Sequence, residues 1–463
     1  MSLGKLGALA RTRIDGPAVR AALDRIASSS VLRKEIVIGT FAAVGLAVFL
    51  LQTISFVYLW DTDSPSYYVA AQGLRRHINI YDDHAFQDLA ADLFGKSIIV
   101  YPYIYPPLLA QALQPLSRLP FGDYFLALYI LNLLLTLLCL YLMADVLDFR
   151  KIGSVLPVLF LFVLLVANHP LEITIHHGQI NLLVLAFILL SLKFQKSGKL
   201  LPAALFLSLA VFIKIYPVLL ALPFLFYRKW KYVFAFAASS AGLLLASLLA
   251  SGTAIWLDFG RSTLDMIFRK SASVYIRGFQ SSPNNLSLKG FLGQAVALFR
   301  LPSWSAGAAY LLAAAGLFLL VLFAARRIDL KSDIPLQGAL LLIPTLVLAP
   351  LTWSHHYTIM IFPLAYVFGR AVKERRYAAL LPFALWGALI LYYPVGGGFP
   401  FNQARLFAVL GFFLTLLVFA KSRPKGRAFG SPLARDIMPR ASTAEVDPQA
   451  KPGAPAAAED ARA

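Results

Sequence analysis

Two aspartates stand where an apolar run gives way to a polar segment, in Trp60-Asp61-Thr62-Asp63. A carboxylate at a membrane boundary is partly desolvated, which raises its basicity. Such a group suits removal of a proton from a hydroxyl arriving at the interface. Asp63 also precedes Ser-Pro-Ser-Tyr-Tyr, a helix-start pattern in which it would serve only as an N-cap. Two histidine pairs follow, in His176-His177-Gly-Gln179-Ile-Asn181 and in Trp353-Ser354-His355-His356-Tyr357. Adjacent histidines on a helix point about 100° apart, so neither pair chelates one metal. Imidazoles do hydrogen-bond phosphate oxygens. Gln179 and Asn181 either satisfy backbone groups at a helix start or bind hydroxyls. Lys214, in Lys214-Ile-Tyr216-Pro217, interrupts an apolar hairpin, where it either snorkels to the interface or neutralises an anion. Tyr101-Pro-Tyr-Ile-Tyr105-Pro-Pro reads as an interfacial aromatic belt, or as rings that stack on a sugar or line a lipid entrance. Arg261, Arg269, Lys270, Arg277 and Lys289 crowd a second polar segment, which also holds Asn284-Asn285-Leu-Ser287. They contact lipid headgroups or cradle a phosphate.

The elements that must position these groups are membrane helices. Of 463 residues, 59% are hydrophobic and 14% charged, against about 25% charged in soluble domains. Ile36 to Leu59 holds no charge, Tyr124 to Val146 holds only Asp145 next to its end, and both meet the roughly 20 residues of a crossing. The first run reads as a retained signal anchor. A net charge of +19 is explained by Lys and Arg on cytoplasmic loops, and nucleic acid is not expected as a partner. The single cysteine, Cys139, allows neither an intrachain disulfide nor a cysteine metal site.

Basic clusters place residues 1–35 and the 421–463 tail in the cytoplasm. Pairing the crossings between the clusters gives spans near 36–59, 123–147, 152–168, 179–194, 200–214, 215–228, 232–250, 303–325, 335–350, 355–370, 378–394 and 402–420. The expected fold is therefore an all-α polytopic membrane protein with about 12 transmembrane helices, in a range of 10–13. The transmembrane domain covers 36–420, with two large external loops at about 60–122 and 251–302. Interfacial helices are expected near 64–76 and 84–95, a re-entrant or surface segment at 103–119, and a disordered tail from Pro424. All seven histidines then fall outside, and no Asp or Glu falls at the middle of a span. Proton-coupled pumps need such a carboxylate, which counts against transport.

Taken in order, these pieces resemble glycosyltransferase family 87, of the GT-C superfamily. The matching elements are Asp63 with Tyr67-Tyr68-Val-Ala-Ala, Tyr105-Pro-Pro-Leu, Gly178-Gln-Ile-Asn181-Leu-Leu, Lys214-Ile-Tyr-Pro217, Asn285-Leu-Ser287-Leu, and Ala349-Pro-Leu-Thr-Trp353-Ser-His-His356-Tyr. The resemblance implies a GT-C-like enzyme of the bacterial inner membrane that moves a sugar, mannose first, from a polyprenyl-phosphate donor to a lipid or glycan hydroxyl. The active site would be extracytoplasmic and the reaction inverting. By that match Asp63 is the base and Asp61 the fallback. His355, His356, Lys214 or Arg277 would meet the phosphate, Tyr105 and Gln179 the sugar, with Asn181, His177 and Asn285 as further donor-binding candidates. No cofactor is required and no metal ligands are assigned, although some GT-C enzymes use a divalent metal. The alternatives are a flippase for lipid-linked sugars and a non-catalytic membrane subunit.

Overall fold

The structure, a computed structural model, describes residues 63–95, 100–152, 156–268, 274–302, 304–327, 333–392 and 398–421, with part of 39–51. The expected first span therefore lies largely outside the described residues, and Asp61 and the tail from Pro424 wholly so. The described residues form helices and no strands. In chain order these are α1 (Ser64–Arg75), α2 (Asp83–Phe94), α3 (Pro107–Leu113), α4 (Phe121–Val146), α5 (Leu156–Val166), α6 (His169–His176), α7 (Asn181–Lys196), α8 (Leu200–Ile213), α9 (Leu222–Phe226), α10 (Trp230–Ser251), α11 (Ala254–Phe268), α12 (Val274–Ser281), α13 (Leu288–Leu298), α14 (Trp304–Arg327), α15 (Ile334–Val347), α16 (Ile361–Glu374), α17 (Leu380–Tyr392) and α18 (Ala404–Lys421).

Four helices are long and apolar enough to cross a membrane among the described residues: Phe121–Val146, Trp230–Ser251, Trp304–Ala324 and Phe401–Lys421. A fifth crossing exists if α5 and α6, which bend by 55° at their junction, count as one. The other expected spans within the described residues are shorter or broken helices. The reasons are local. Lys214 is extended (φ −141°, ψ 128°), which ends α8, and Pro217 starts a 3₁₀ turn over Tyr216–Ala221. Around Lys214 the chain thus makes an interrupted hairpin. The expected helices near 64–76 and 84–95 are found as α1 and α2. The segment 251–302, read as a loop, carries three helices, α11, α12 and α13.

Burial divides the helices into two kinds. α15 is buried along nearly its whole length, as is most of α7, so both lie inside the bundle. α10 buries only Tyr232 and Ser247, and its exposed Phe234, Leu245 and Leu249 form an apolar outer face. That is the pattern of a helix facing lipid on most sides. The inner layer carries the polar residues that matter below.

Candidate active site

The site is assembled from three separate segments of the chain. The first is the turn after α6. Asn168 caps the start of α6 through its side chain, accepting from Leu171 N at 3.0 Å. At the other end Gln179 N donates to Thr174 O (2.9 Å) and Gly178 N to Ile175 O (3.1 Å), the paired bonds of a Schellman turn. Gly178 takes φ +60°, and a Cβ there would lie 3.0 Å from Ser64 Cβ. Glycine thus permits both the turn and the approach of α1. The turn projects His177, Gln179 and Asn181 toward one centre.

The second element is Asp63, at the N-cap of α1. Its side chain makes no capping bond. It instead accepts from Gln179 Nε2, and its Oδ2 lies 3.9 Å from His177 Nδ1. The helix-cap alternative for Asp63 therefore fails: the carboxylate turns away from its own helix and toward a distant one. Gln179 is fully buried. Its Oε1 accepts from Tyr67 Oη at 2.9 Å, and Tyr67 Oη lies 3.1 Å from Tyr105 Oη. A continuous chain thus runs Tyr105–Tyr67–Gln179–Asp63. Burial resists ionisation of Asp63, but nearby His177 and the charges of His355, His177 and Lys214 outweigh it and hold the carboxyl below its usual range, the reverse of the raised basicity expected of a carboxylate at a membrane boundary. Burial pushes the Tyr67 and Tyr105 phenols up, so both remain protonated donors.

The third element is the 3₁₀ turn Ser354–Met360, which brings His355 and His356 inside. Its backbone is pinned from α6 and α7. Thr174 Oγ1 and Asn181 Nδ2 each donate to His355 O at 3.1 Å. Asn181 Oδ1 accepts from Lys214 Nζ at 2.6 Å, so one asparagine fixes both the histidine turn and the buried lysine. His356 Nδ1 accepts from Trp353 N at 3.0 Å.

Two cavities meet at this centre. One, of about 330 Å³, is lined mainly by apolar side chains, and Lys214, Tyr216 and His356 supply polar groups. The other, of about 450 Å³, holds Asp63, His169, His177 and His355, with Tyr101 and Trp353. Ile104, Tyr105 and Leu351 belong to both walls. Lys214 Nζ lies 5.0 Å from the Tyr105 ring centre and lines the first cavity, whereas Asp63 lines the second. The Tyr216 hydroxyl is buried and has no hydrogen-bond partner among the described residues. Its place in Lys214-Ile-Tyr216-Pro217 was visible in the sequence, but nothing there showed that the ring shares the lysine's cavity.

Of the residues expected at the site, Asp63, His177, Gln179, Asn181, Lys214, Tyr105, His355 and His356 converge. Arg277 does not: it is exposed on α12 and lines neither cavity. Asn285 is fully buried with its amide consumed internally. Its Nδ2 donates to Gln280 O (3.3 Å) and Pro350 O (3.2 Å), and its Oδ1 accepts from Thr352 N (3.1 Å) and Ser287 N (3.3 Å). Leu286 O also accepts from Tyr357 Oη at 2.8 Å. Asn285 thus builds the segment that leads into the histidine turn, and it does not face either cavity. Among the described residues one group has metal-ligand character: Asp63, His177 and His355, with donor atoms all within 4.8 Å of one another.

Glycosyltransferase family 87 matches residues 103–350. The chain belongs to that family. It is a membrane glycosyltransferase, and the match spans the wall tyrosine Tyr105, the Gln179–Asn181 turn, Lys214 and Asn285. The chain is also similar to a polyprenol-phosphate-mannose-dependent alpha-(1-2)-phosphatidylinositol mannoside mannosyltransferase of Mycobacterium tuberculosis. The two are 25% identical over 319 residues, 65% of this chain and 71% of the relative.

Proposed function

We propose that this protein transfers mannose from a polyprenyl-phosphate donor to a hydroxyl of a glycolipid, with inversion, at the extracytoplasmic face of a bacterial inner membrane. The donor and acceptor classes are those in the name of the mycobacterial relative. In this reading the chain crosses the membrane about twelve times with both termini inside.

The two-cavity arrangement supports a division of labour. The prenyl tail lies in the apolar cavity, whose Ile215 and Val218 are exposed on the outer surface. Its phosphate sits at Lys214, with Tyr216 and His356 as hydrogen-bonding partners. The sugar crosses the Tyr105 wall, and the acceptor comes through the larger cavity. Asp63 then takes the proton from the acceptor hydroxyl as that oxygen attacks the anomeric carbon. The bond from that carbon to the phosphate oxygen breaks, and polyprenyl phosphate leaves with one more negative charge. Lys214 is placed to meet the developing charge, which is how a buried cation lowers a barrier. No nucleotide site and no cofactor enters this scheme.

One observation carries the reading: Asp63 forgoes its own helix cap and is held by Gln179 and His177 beside a cavity that shares Tyr105 with the lysine cavity. The test is transfer by the purified full chain in proteoliposomes, with polyprenyl-phosphate mannose and a glycolipid acceptor, read by mass spectrometry and product anomer. Glycolipid one hexose heavier, with inverted configuration, is expected. Movement of the lipid-linked sugar between leaflets without bond cleavage would establish the flippase alternative instead.

A further inference from the structure

Asp63, His177 and His355 come from three separate segments: the N-cap of α1, the turn after α6, and the 3₁₀ turn before α16. Their donor atoms lie within 4.8 Å of one another. One carboxylate and two imidazoles form a donor set for a first-row transition metal, above all Zn²⁺. Around a tetrahedral zinc with ligands at about 2.1 Å, donors sit about 3.4 Å apart. The three groups therefore need to close by little more than an ångström. Support for the ligands is already present. Asp63 accepts from the buried Gln179 amide, and the backbone of His355 is held by Thr174 and Asn181. Such outer partners orient metal ligands. The cavity of about 450 Å³ in front of the triad leaves a fourth position open. The two histidines of one pair do not act together here: His355 lines the larger cavity and His356 the other.

We propose that Asp63, His177 and His355 bind a divalent transition-metal ion, and that this ion inhibits the enzyme. The direction of the effect rests on the reading of Asp63 as the base. A carboxylate that ligates zinc has its charge largely neutralised by the cation and is a weaker base toward the acceptor's proton. The metal also stands where the acceptor hydroxyl must approach. Hard cations such as Mg²⁺ prefer six oxygen ligands and bind this site weakly.

The experiment uses the full chain without a polyhistidine tag, in nanodiscs, with Zn²⁺ itself as probe. Equilibrium dialysis is expected to find one tightly held Zn²⁺ per chain, and His177→Ala and His355→Ala each to weaken it at least tenfold. X-ray absorption should show two imidazoles in the zinc shell. His355→Gln serves as the milder variant if His355→Ala does not fold. Zn²⁺ should depress transfer at least tenfold, with recovery on adding EDTA. Absence of stoichiometric binding, or binding indifferent to both histidines, overturns the site. Stimulation of transfer by Zn²⁺ overturns its inhibitory role and the metal-free base mechanism together. If the chain binds Zn²⁺ through these residues but transfers no sugar, the metal site stands and the proposed function falls. If the chain transfers sugar but binds no Zn²⁺, the proposed function stands and the metal site falls.

Discussion

Replacing Lys214 with Met separates catalysis from stability, because the two should respond differently. Lys214 is 4% exposed, and its ammonium has one hydrogen bond, to Asn181 Oδ1 at 2.6 Å. No carboxylate is within salt-bridge distance of it among the described residues. Burying an ammonium without an ion partner costs free energy. Met removes that cost and keeps most of the apolar stem. Against this gain, Asn181 Oδ1 loses its partner, a loss of about 1–3 kcal/mol. The two terms oppose each other, so the melting temperature should move by only a few degrees. Activity has no such offset. A hydrogen bond to a charged group contributes about 1.5–3 kcal/mol, which is about 10- to 150-fold in rate at 1.36 kcal/mol per tenfold. The phosphate gains charge as the glycosidic bond breaks, so the loss should fall more on kcat than on donor KM. The assay is initial-rate transfer from polyprenyl-phosphate mannose in proteoliposomes, alongside a fluorescence melt. Unchanged kcat in Lys214→Met would refute the placement of the donor phosphate. A melt lowered by more than 10 °C, with activity lost in proportion, would show that Lys214 is structural.

Three further outcomes follow from the geometry. Gly178→Ala should cost about 1–2 kcal/mol of stability from its left-handed backbone and lower transfer at least tenfold, because the turn aims both His177 and Gln179; wild-type kcat in this variant would contradict that role. Asn285→Ala should lower the melting temperature while the folded fraction keeps its donor KM, since the amide bonds only to protein; a selective rise in donor KM would return Asn285 to the binding site. Asp148 is held below the usual carboxylate range: burial opposes ionisation, but Lys196 at 2.6 Å and Lys151 at 2.9 Å prevail. Because its folded-state pKa lies below the unfolded one, the stabilisation is complete above the ordinary Asp value and vanishes as pH falls through the folded value. Asp148→Asn should therefore lower the melting temperature at pH 7 and have little effect in strong acid, and an equal effect at both would refute the ion pairs.

The residues also show which parts of the site sequence reasoning reaches. Side-chain type at a membrane boundary pointed to Asp63, and spacing pointed to the histidine pairs and the Lys214 break. The helices α1, α2 and α4 were legible because a proline in the first turn of α1, the Asp82 cap of α2 and the long apolar run of α4 act locally. What was not legible is long-range. The bond from Gln179 to Asp63 spans 116 positions, and Asn181 reaches His355 across 174. No periodicity encodes such a meeting. Arg277 and Asn285 were grouped with the site by chemistry and order, but one is exposed on α12 and the other is locked into the backbone of its neighbours. The helices of 251–302 were missed because α11 and α12 are short and amphipathic, and so carry no long apolar run.

The most direct test of the account is Asp63→Asn. Asn has nearly the same shape as Asp but cannot take up a proton at neutral pH. Purified wild-type and variant proteins should bind polyprenyl-phosphate mannose with Kd values within threefold of each other. Single-turnover transfer to the glycolipid acceptor should fall by about 10²- to 10⁴-fold, the contribution of a positioned general base. Transfer at the wild-type rate by Asp63→Asn would contradict the central claim.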